Sequence, residues 1–244
     1  MASVITIFKR EIKSYFTQPT AYAVICIFLF MSLFLTFTLG NFISTGDANL
    51  EWSFFFWHPW IYMLLAPALG MRLWSDEQRS GTIELLGTFP TTTWSAILGK
   101  FSAAALVWLI ALLLTCPMVM AVNALGSPDN LTIISSYIGS YLLCCTFLAI
   151  TCLISAFTRD QVSCLIVSCS ICVLMVVIGF EHVARVFSQT FSETTTSAIV
   201  AISVLDHYQP LLRGAVRIQD LVYFITIIFA CLFCTSTILN AKRA

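Results

Sequence analysis

Residues 131–157 read LTIISSYIGSYLLCCTFLAITCLISAF, a run of 27 without a single Asp, Glu, Lys, Arg, His or Pro. About 20 such residues suffice to carry an α-helix across the hydrocarbon core of a bilayer, so this stretch predicts a membrane span. Within it Ser135 and Gly139 stand four residues apart. That spacing places two small residues on one helix face and predicts close approach by a neighbouring helix.

Similar runs recur on both sides. Spans are expected at 21–39, 54–73, 97–122, 131–157, 162–180 and 221–239, six in all. The composition agrees: 59% of the 244 residues are hydrophobic and 10% charged, against about 25% charged in an ordinary soluble domain. Mean hydropathy is +0.93. The expected fold class is therefore an all-α integral membrane protein, and a soluble sandwich or α/β enzyme is excluded. A formal net charge of zero leaves no basic excess for phosphate backbones, so no nucleic-acid partner is expected. Membrane lipid and other protein chains are the expected partners.

Ahead of the first span, VITIFKREIKSYF at 4–16 sets Val4, Ile5, Phe8, Ile12, Tyr15 and Phe16 at helical spacing. Lys9, Arg10, Glu11 and Lys13 supply its charge. This predicts an amphipathic helix lying along the membrane surface rather than through it. No small-x-small cleavage site closes a short apolar core, so a cleavable signal is not expected. Pro67 and Pro117 fall inside the second and third spans, where each removes a backbone donor and predicts a kink. Trp52, Trp57, Trp60 and Tyr62 crowd one end of span two as an aromatic belt would.

Orientation follows from the basic residues. With the amino terminus inside, Lys9, Arg10, Lys13, Arg72, Arg79, Lys100, Arg159, Lys242 and Arg243 are cytoplasmic, nine of the twelve. Arg185, Arg213 and Arg217 are then outside, and the positive-inside rule places both termini in the cytoplasm. Residues 181–220 form an external segment, in which the apolar stretch 198–205 is too short to span and reads as an amphipathic or re-entrant helix.

No expected span carries an ionisable group near its middle, which argues against a proton relay or an ion pathway. No GxxxxGK[ST] phosphate loop is present, so uphill work would need energy from another chain. The ten cysteines lie almost entirely in apolar runs and read as packing residues. Cys169-x-x-Cys172 and Cys231-x-x-Cys234 have the spacing of a metal or redox pair, but helical packing gives the same spacing. His58, His182 and His207 are read at or beyond the outer boundary, in contact with headgroups or water. No nucleophile and base stand together, and no metal, cofactor or catalytic residue is assigned.

The largest polar interruption in the first half is SDEQRSGTIELLGTFP at 75–90. It lies in an expected cytoplasmic loop running from Arg72 to Trp94, 23 residues. Thr82, Ile83, Glu84, Leu85 and Leu86 read as a short helix entered after Gly81 and closed by Gly87 and Pro90. Two readings fit it: a docking helix for a partner, or a loop whose Ile and Leu dip into the headgroups.

These residues resemble a family. The Lys9-Arg10-Glu11 helix ending in Ser14-Tyr15-Phe16, the Pro19-x-x-Tyr22 entry to span one, and Glu77-x-x-Ser80-Gly81-Thr82-Ile83-Glu84-Leu85-Leu86-x-Thr88-x-Pro90 resemble permease subunits of type-2 ABC exporters, the gliding-motility-type branch above all. Asp206-His207-Tyr208, Arg213-Gly214 and Asp220-Leu221-Val222-Tyr223-Phe224 are similar to that branch's stretch before its last span. The resemblance covers essentially the whole chain as a single permease domain, 1–244. It implies an elbow helix at 4–16 and a coupling loop at 76–90, whose Gly81–Thr88 helix seats in a groove of a separate ATPase. A second, smaller contact would come from Thr158-Arg159-Asp160. ATP and Mg would be held by the ATPase and no cofactor by this chain, with a second permease copy or a related permease completing the unit in a bacterial inner membrane. Gly87 departs from the pattern, which more often has Leu there. Two other readings are a permease in copper-linked metal or sulfur delivery, and a nontransporting scaffold or redox protein.

Overall fold

A computed structural model describes residues 2–40, 42, 50–81, 92–180, 183 and 201–242. Among them the chain is helical throughout, with no strand. In order the helices are α1 (Ala2–Thr17), α2 (Pro19–Thr38), α3 (Leu50–Ser53), α4 (His58–Gly70), α5 (Arg72–Arg79), α6 (Thr93–Leu113), α7 (Cys116–Leu125), α8 (Asn130–Phe157), α9 (Gln161–Val177), α10 (Val204–Leu212) and α11 (Ile218–Ala241), with a 3-10 turn at Phe55–Trp57. Five stretches are long and apolar enough to cross a membrane: Pro19–Thr38, Leu50–Arg79, Thr93–Ala124, Asn130–Phe157 and Ile218–Ala241. Gln161–Val177 is apolar but shorter, at 17 residues.

α8 contains the uncharged run 131–157 and is the axis of the bundle. It packs against α4, α5, α6, α9, α10 and α11. Asp129 starts it by accepting from Leu131 N at 3.0 Å and from the Thr132 hydroxyl at 2.8 Å, which satisfies a donor the first helical turn would otherwise strand. Inside, hydroxyls turn back on their own helix: Thr146 to Leu142 O, Thr151 to Phe147 O and Ser155 to Cys152 O, at 2.8–2.9 Å. Polar side chains thereby sit in a dry core without a stranded donor.

The small-residue face of α8 does what its spacing implies. Ser135 donates to Leu211 O at 2.8 Å and Ser136 to Leu212 O at 3.2 Å. A Cβ on Gly139 would lie 2.9 Å from Leu211 Cβ, so only glycine lets α10 settle there. On the next face, a Cβ on Gly70 would meet Thr151 Cγ2 at 2.9 Å, which fixes α4 against α8 equally closely.

The outer faces of α2, α9 and α11 stay apolar and exposed. Phe30, Ile166 and Phe229 are each about three-fifths exposed (63%, 60% and 62%). Such faces are ordinary against lipid tails and costly in water.

Several boundaries move. The second span does not end at residue 73: the helix is interrupted at Met71, one turn beyond Pro67, and resumes as α5 to Arg79. Its charges stand on one side while Leu73, Trp74 and Ser75 are buried, so a helix continues where the charge density suggested a loop. In the third span the interruption is at Leu114–Thr115, before Pro117, and the Thr115 hydroxyl covers Leu112 O at 2.6 Å and meets Tyr137 Oη at 2.8 Å. Tyr62, expected in an aromatic belt, is fully buried and stacks on Phe28 at 5.4 Å between centroids. Of the external segment, residues 184–200 lie outside the described residues; the helix seen is Val204–Leu212, at the edge of the stretch expected to be helical.

Candidate functional site

The first helix is held to the bundle by α6 more than by any other element. Gly99 is the reason it can come so near: a Cβ there would lie 2.8 Å from Ile7 Cγ2 and 3.3 Å from Val4 O. Lys9, Arg10 and Lys13 are exposed, as the amphipathic pattern requires, whereas Glu11 is turned partly inward. Arg10 pairs with Glu11 at 2.7 Å.

Beside Gly99, Lys100 is only 4% exposed. A buried ammonium is tolerated only when its three donors are satisfied and its charge is met. Here Nζ lies 2.9 Å from Glu77 Oε1, 2.8 Å from Leu73 O and 3.8 Å from Glu11 Oε1, and 5.0 Å from the centre of the Trp74 ring. Trp74 is held in turn by its indole N–H, 3.3 Å from Cys152 Sγ on α8. One cation thus ties together α1, α5 and α6. Sequence reading had used Lys100 only as a charge that set orientation. The overlooked signal was a lone lysine beside glycine in a run of small residues, a pattern that places its stem inside a helix contact.

The last turn of α5 is fastened on its other side as well. Gln78 Nε2 donates to Ser155 O at 3.0 Å and Ala156 O at 2.7 Å, the carbonyls at the end of α8. Lys242, just beyond α11, donates to Gln78 Oε1 and to Ala156 O, both at 2.8 Å. Loss of hydration, followed by the charge of Arg159, lowers the Lys242 pKa. Thr93 at the start of α6 donates to Asn240 Oδ1 at 2.6 Å. Gln161 at the start of α9 donates to Asp76. The ends of α5, α8 and α11 and the starts of α6 and α9 therefore form one polar layer.

Glu77 is the partner of Lys100, and Gly81 follows it by four residues at φ +70°, the left-handed conformation that closes a helix. Ser80 completes the stop, its N–H and hydroxyl both reaching Asp76 O, at 3.0 and 2.8 Å. Arg159 is exposed between α8 and α9 at the same end of the bundle. Next to it Asp160 accepts from Ser163 N at 2.9 Å and from the Ser163 hydroxyl at 3.0 Å. Those bonds, the backbone one foremost, lower its pKa. The remaining expected coupling residues, Thr82, Ile83, Glu84, Leu85, Leu86, Thr88 and Pro90, together with Gly87, lie outside the described residues.

The far end is built differently. His58, expected among headgroups or water, is fully buried in a cage of Phe28, Phe54, Phe55 and Tyr62. Its Nδ1 lies 2.7 Å from Ser140 Oγ, which is also 2.9 Å from Tyr62 Oη. Tyr208 of α10 donates to Phe55 O at 2.9 Å. His207 pairs with Asp220 at 2.7 Å and stacks on Tyr223, so it too is engaged within the protein. Arg213 meets Glu51 at 3.1 Å. Among the described residues no three His, Cys, Asp or Glu side chains gather as a metal set, and all ten cysteines are unpaired thiols.

The whole of this arrangement falls within residues 5–243, which match the family model described as "ABC-2 family transporter protein". No curated protein matches the chain.

Proposed function

The chain belongs to the ABC-2 family of transporter proteins, and from that premise we propose that it is the membrane-spanning permease of an ATP-binding cassette transporter, driven by a separate ATPase chain. It is a multi-pass membrane protein of a transport family. In the proposed arrangement Gln161–Val177 makes the sixth span, α1 is the elbow helix, and both termini face the cytoplasm of a bacterial inner membrane. The gliding-motility-type branch is the proposed placement within the family. A second permease copy or a related permease completes the unit. ATP and Mg belong to the ATPase.

The observation that carries the coupling role is the Lys100 node. The polar segment after Gly81 follows a helix whose last turns are bound to α6 and α1 through Lys100 and Glu77, to α8 through Gln78, and to α9 through Asp76. A push on that segment by a closing ATPase pair would be delivered to four helices at once rather than absorbed by a loose loop. The spans would then rearrange as rigid bodies around a pathway at the permease dimer interface, giving alternating access. Interfaces of this kind switch between discrete packings, so a small displacement at the segment can be enough.

Tagged permease expressed in its native host tests this reading. A P-loop ATPase should co-purify and be stimulated by the permease. Leu85→Asp and Gly81→Pro should abolish stimulation and transport while the chain still inserts in the membrane. Normal transport by Leu85→Asp would sink the docking role.

A further inference from the structure

Between α1, the start of α2 and the α4–α5 junction lies a cavity of about 340 Å³, lined among others by Ser14, Tyr15, Gln18, Thr20, Arg72 and Asp76. Its other charges, Arg10 with Glu11 and Lys100 with Glu77, are paired. Arg72 and Asp76 are not. Among the described residues Arg72 has no carboxylate within ion-pair distance: one Nη donates to Gln18 Oε1 at 2.9 Å, and its Nε is buried with no partner. Asp76 takes an amide hydrogen from Gln161 and, among the described residues, meets no cation within ion-pair distance. The two residues are one turn apart on α5, on the same face, with opposite charges and no ion pair between them.

We propose that this cavity holds the headgroup of a zwitterionic phospholipid, with the phosphodiester on Arg72 and a primary ammonium on Asp76. The guanidinium offers a planar fork suited to phosphate oxygens, and the Nη that does not reach Gln18 makes no hydrogen bond among the described residues and is the donor such an oxygen would take. The Tyr15 hydroxyl lies within electrostatic reach of Arg72 and Asp76. Burial first, then the Glu11 charge, raises its pKa, so it stays a protonated donor. A ligand with one positive and one negative group leaves the cavity neutral, which a purely anionic headgroup does not. A quaternary ammonium has no N–H for Asp76, so unmethylated amine is the form selected. Thr20, on the cavity wall, stands at the start of the apolar helix Pro19–Thr38, so the site opens where a lipid's chains would run along the protein. The proposal rests on the chain crossing a membrane and is independent of any ATPase.

Native mass spectrometry of the purified full chain, with phosphatidylethanolamine, phosphatidylcholine or phosphatidylglycerol added in turn, tests it. One phosphatidylethanolamine per chain should be retained, about tenfold more tightly than phosphatidylcholine, as loss of one charged hydrogen bond implies. Arg72→Gln should weaken retention of all three about tenfold or more, and Asp76→Asn should erase the preference for ethanolamine over choline. If Arg72→Gln fails to fold by circular dichroism, Thr20→Trp fills the cavity from α2 and should give the same loss. Equal retention by the wild type and these variants, or no ethanolamine preference, overturns the proposal. Displacement of the lipid by millimolar inorganic phosphate would assign the site to a soluble phosphate instead, and would overturn the lipid assignment.

Discussion

The two ends of the bundle solve the same problem by different chemistry. Around Lys100, α1, α5 and α6 are joined by charge, an ammonium with two carboxylates and a carbonyl, and beside it an amide and a second lysine hold the last carbonyls of α8. Around His58, the elements are joined by packed rings and neutral hydrogen bonds, with Ser140 as the shared hub. Neutral contacts between apolar helices hold one shape and tolerate little rearrangement. A charged node can exchange partners, because each acceptor that departs leaves others in place. The difference is what the proposed coupling role would require, with rearrangement at one end and fixed packing at the other.

Removing the charge at the first end should have the largest effect. Lys100→Met removes the cation that Glu77 faces in a buried contact, while Glu11 keeps Arg10, and breaking a buried pair from one side typically costs about 3–5 kcal/mol. A marked fall in the thermal midpoint of the purified chain is expected. Adding Glu77→Gln should recover part of the loss, because the stranded carboxylate is then gone. A Lys100→Met chain as stable as the wild type would mean that the node contributes nothing and that the comparison of the two ends is mistaken.

At the opposite end, Ser140→Ala should cost less. It removes two neutral hydrogen bonds, to His58 Nδ1 and Tyr62 Oη, each worth about 0.5–1.5 kcal/mol net. Ser140→Cys, of nearly the same shape and a weaker hydrogen-bonding group, should fall between. If Ser140→Ala proves costlier than Lys100→Met, the neutral end is the stronger tie.

Gly81 tests whether the stop between α5 and the following segment is set by backbone alone. A Cβ there meets nothing within 4 Å, so Gly81→Ala suffers only the left-handed conformation, about 1–2 kcal/mol. Gly81→Asn should recover much of that, since Asn visits this region readily. A loss in Gly81→Ala as large as that in Lys100→Met would show that the stop matters more than the node. These differences can be read as shifts in thermal midpoint under one set of detergent conditions.

Much of the fold was legible because a bilayer leaves the backbone few choices: an apolar run of sufficient length must be a helix, so α2, α8 and α11 fall within three residues of their expected bounds. The contact made by Ser135 and Gly139 was legible for a similar reason, since small residues at that spacing have one main use between helices. What misled was charge. Asp76, Glu77 and Arg79 looked like a loop, because nothing in a linear reading reveals that Lys100 and Gln161 lie opposite to receive two of them. His58, set among Trp52, Trp57, Pro59 and Trp60, looked like an interfacial residue, because its partner Ser140 is 82 positions away. Lys9, Arg10, Glu11 and Lys13 share α1, yet the structure turns Glu11 partly inward and the three basic residues outward. Only the position of Lys100 on the neighbouring helix decides which way each turns.

The smallest effect expected is at Asp160, on the charged end but outside the node. Its carboxylate caps α9 by accepting from Ser163 N, and that bond holds its pKa below the ordinary value near 3.8. Because the folded-state pKa is the lower one, the unfolded chain binds more protons in the interval between the two. The cap's contribution is therefore complete above the unfolded pKa and is lost as pH falls through the folded one. Asp160→Asn, which can still accept from the same N–H, should flatten this part of the acid limb and leave stability at neutral pH almost unchanged. The neighbouring layer provides the contrast: Glu77 is matched by a buried lysine in a charge pair that joins helices, whereas Asp160 is a single exposed cap. A thermal midpoint that falls as steeply in mild acid in Asp160→Asn as in the wild type would show that the cap contributes nothing to acid sensitivity.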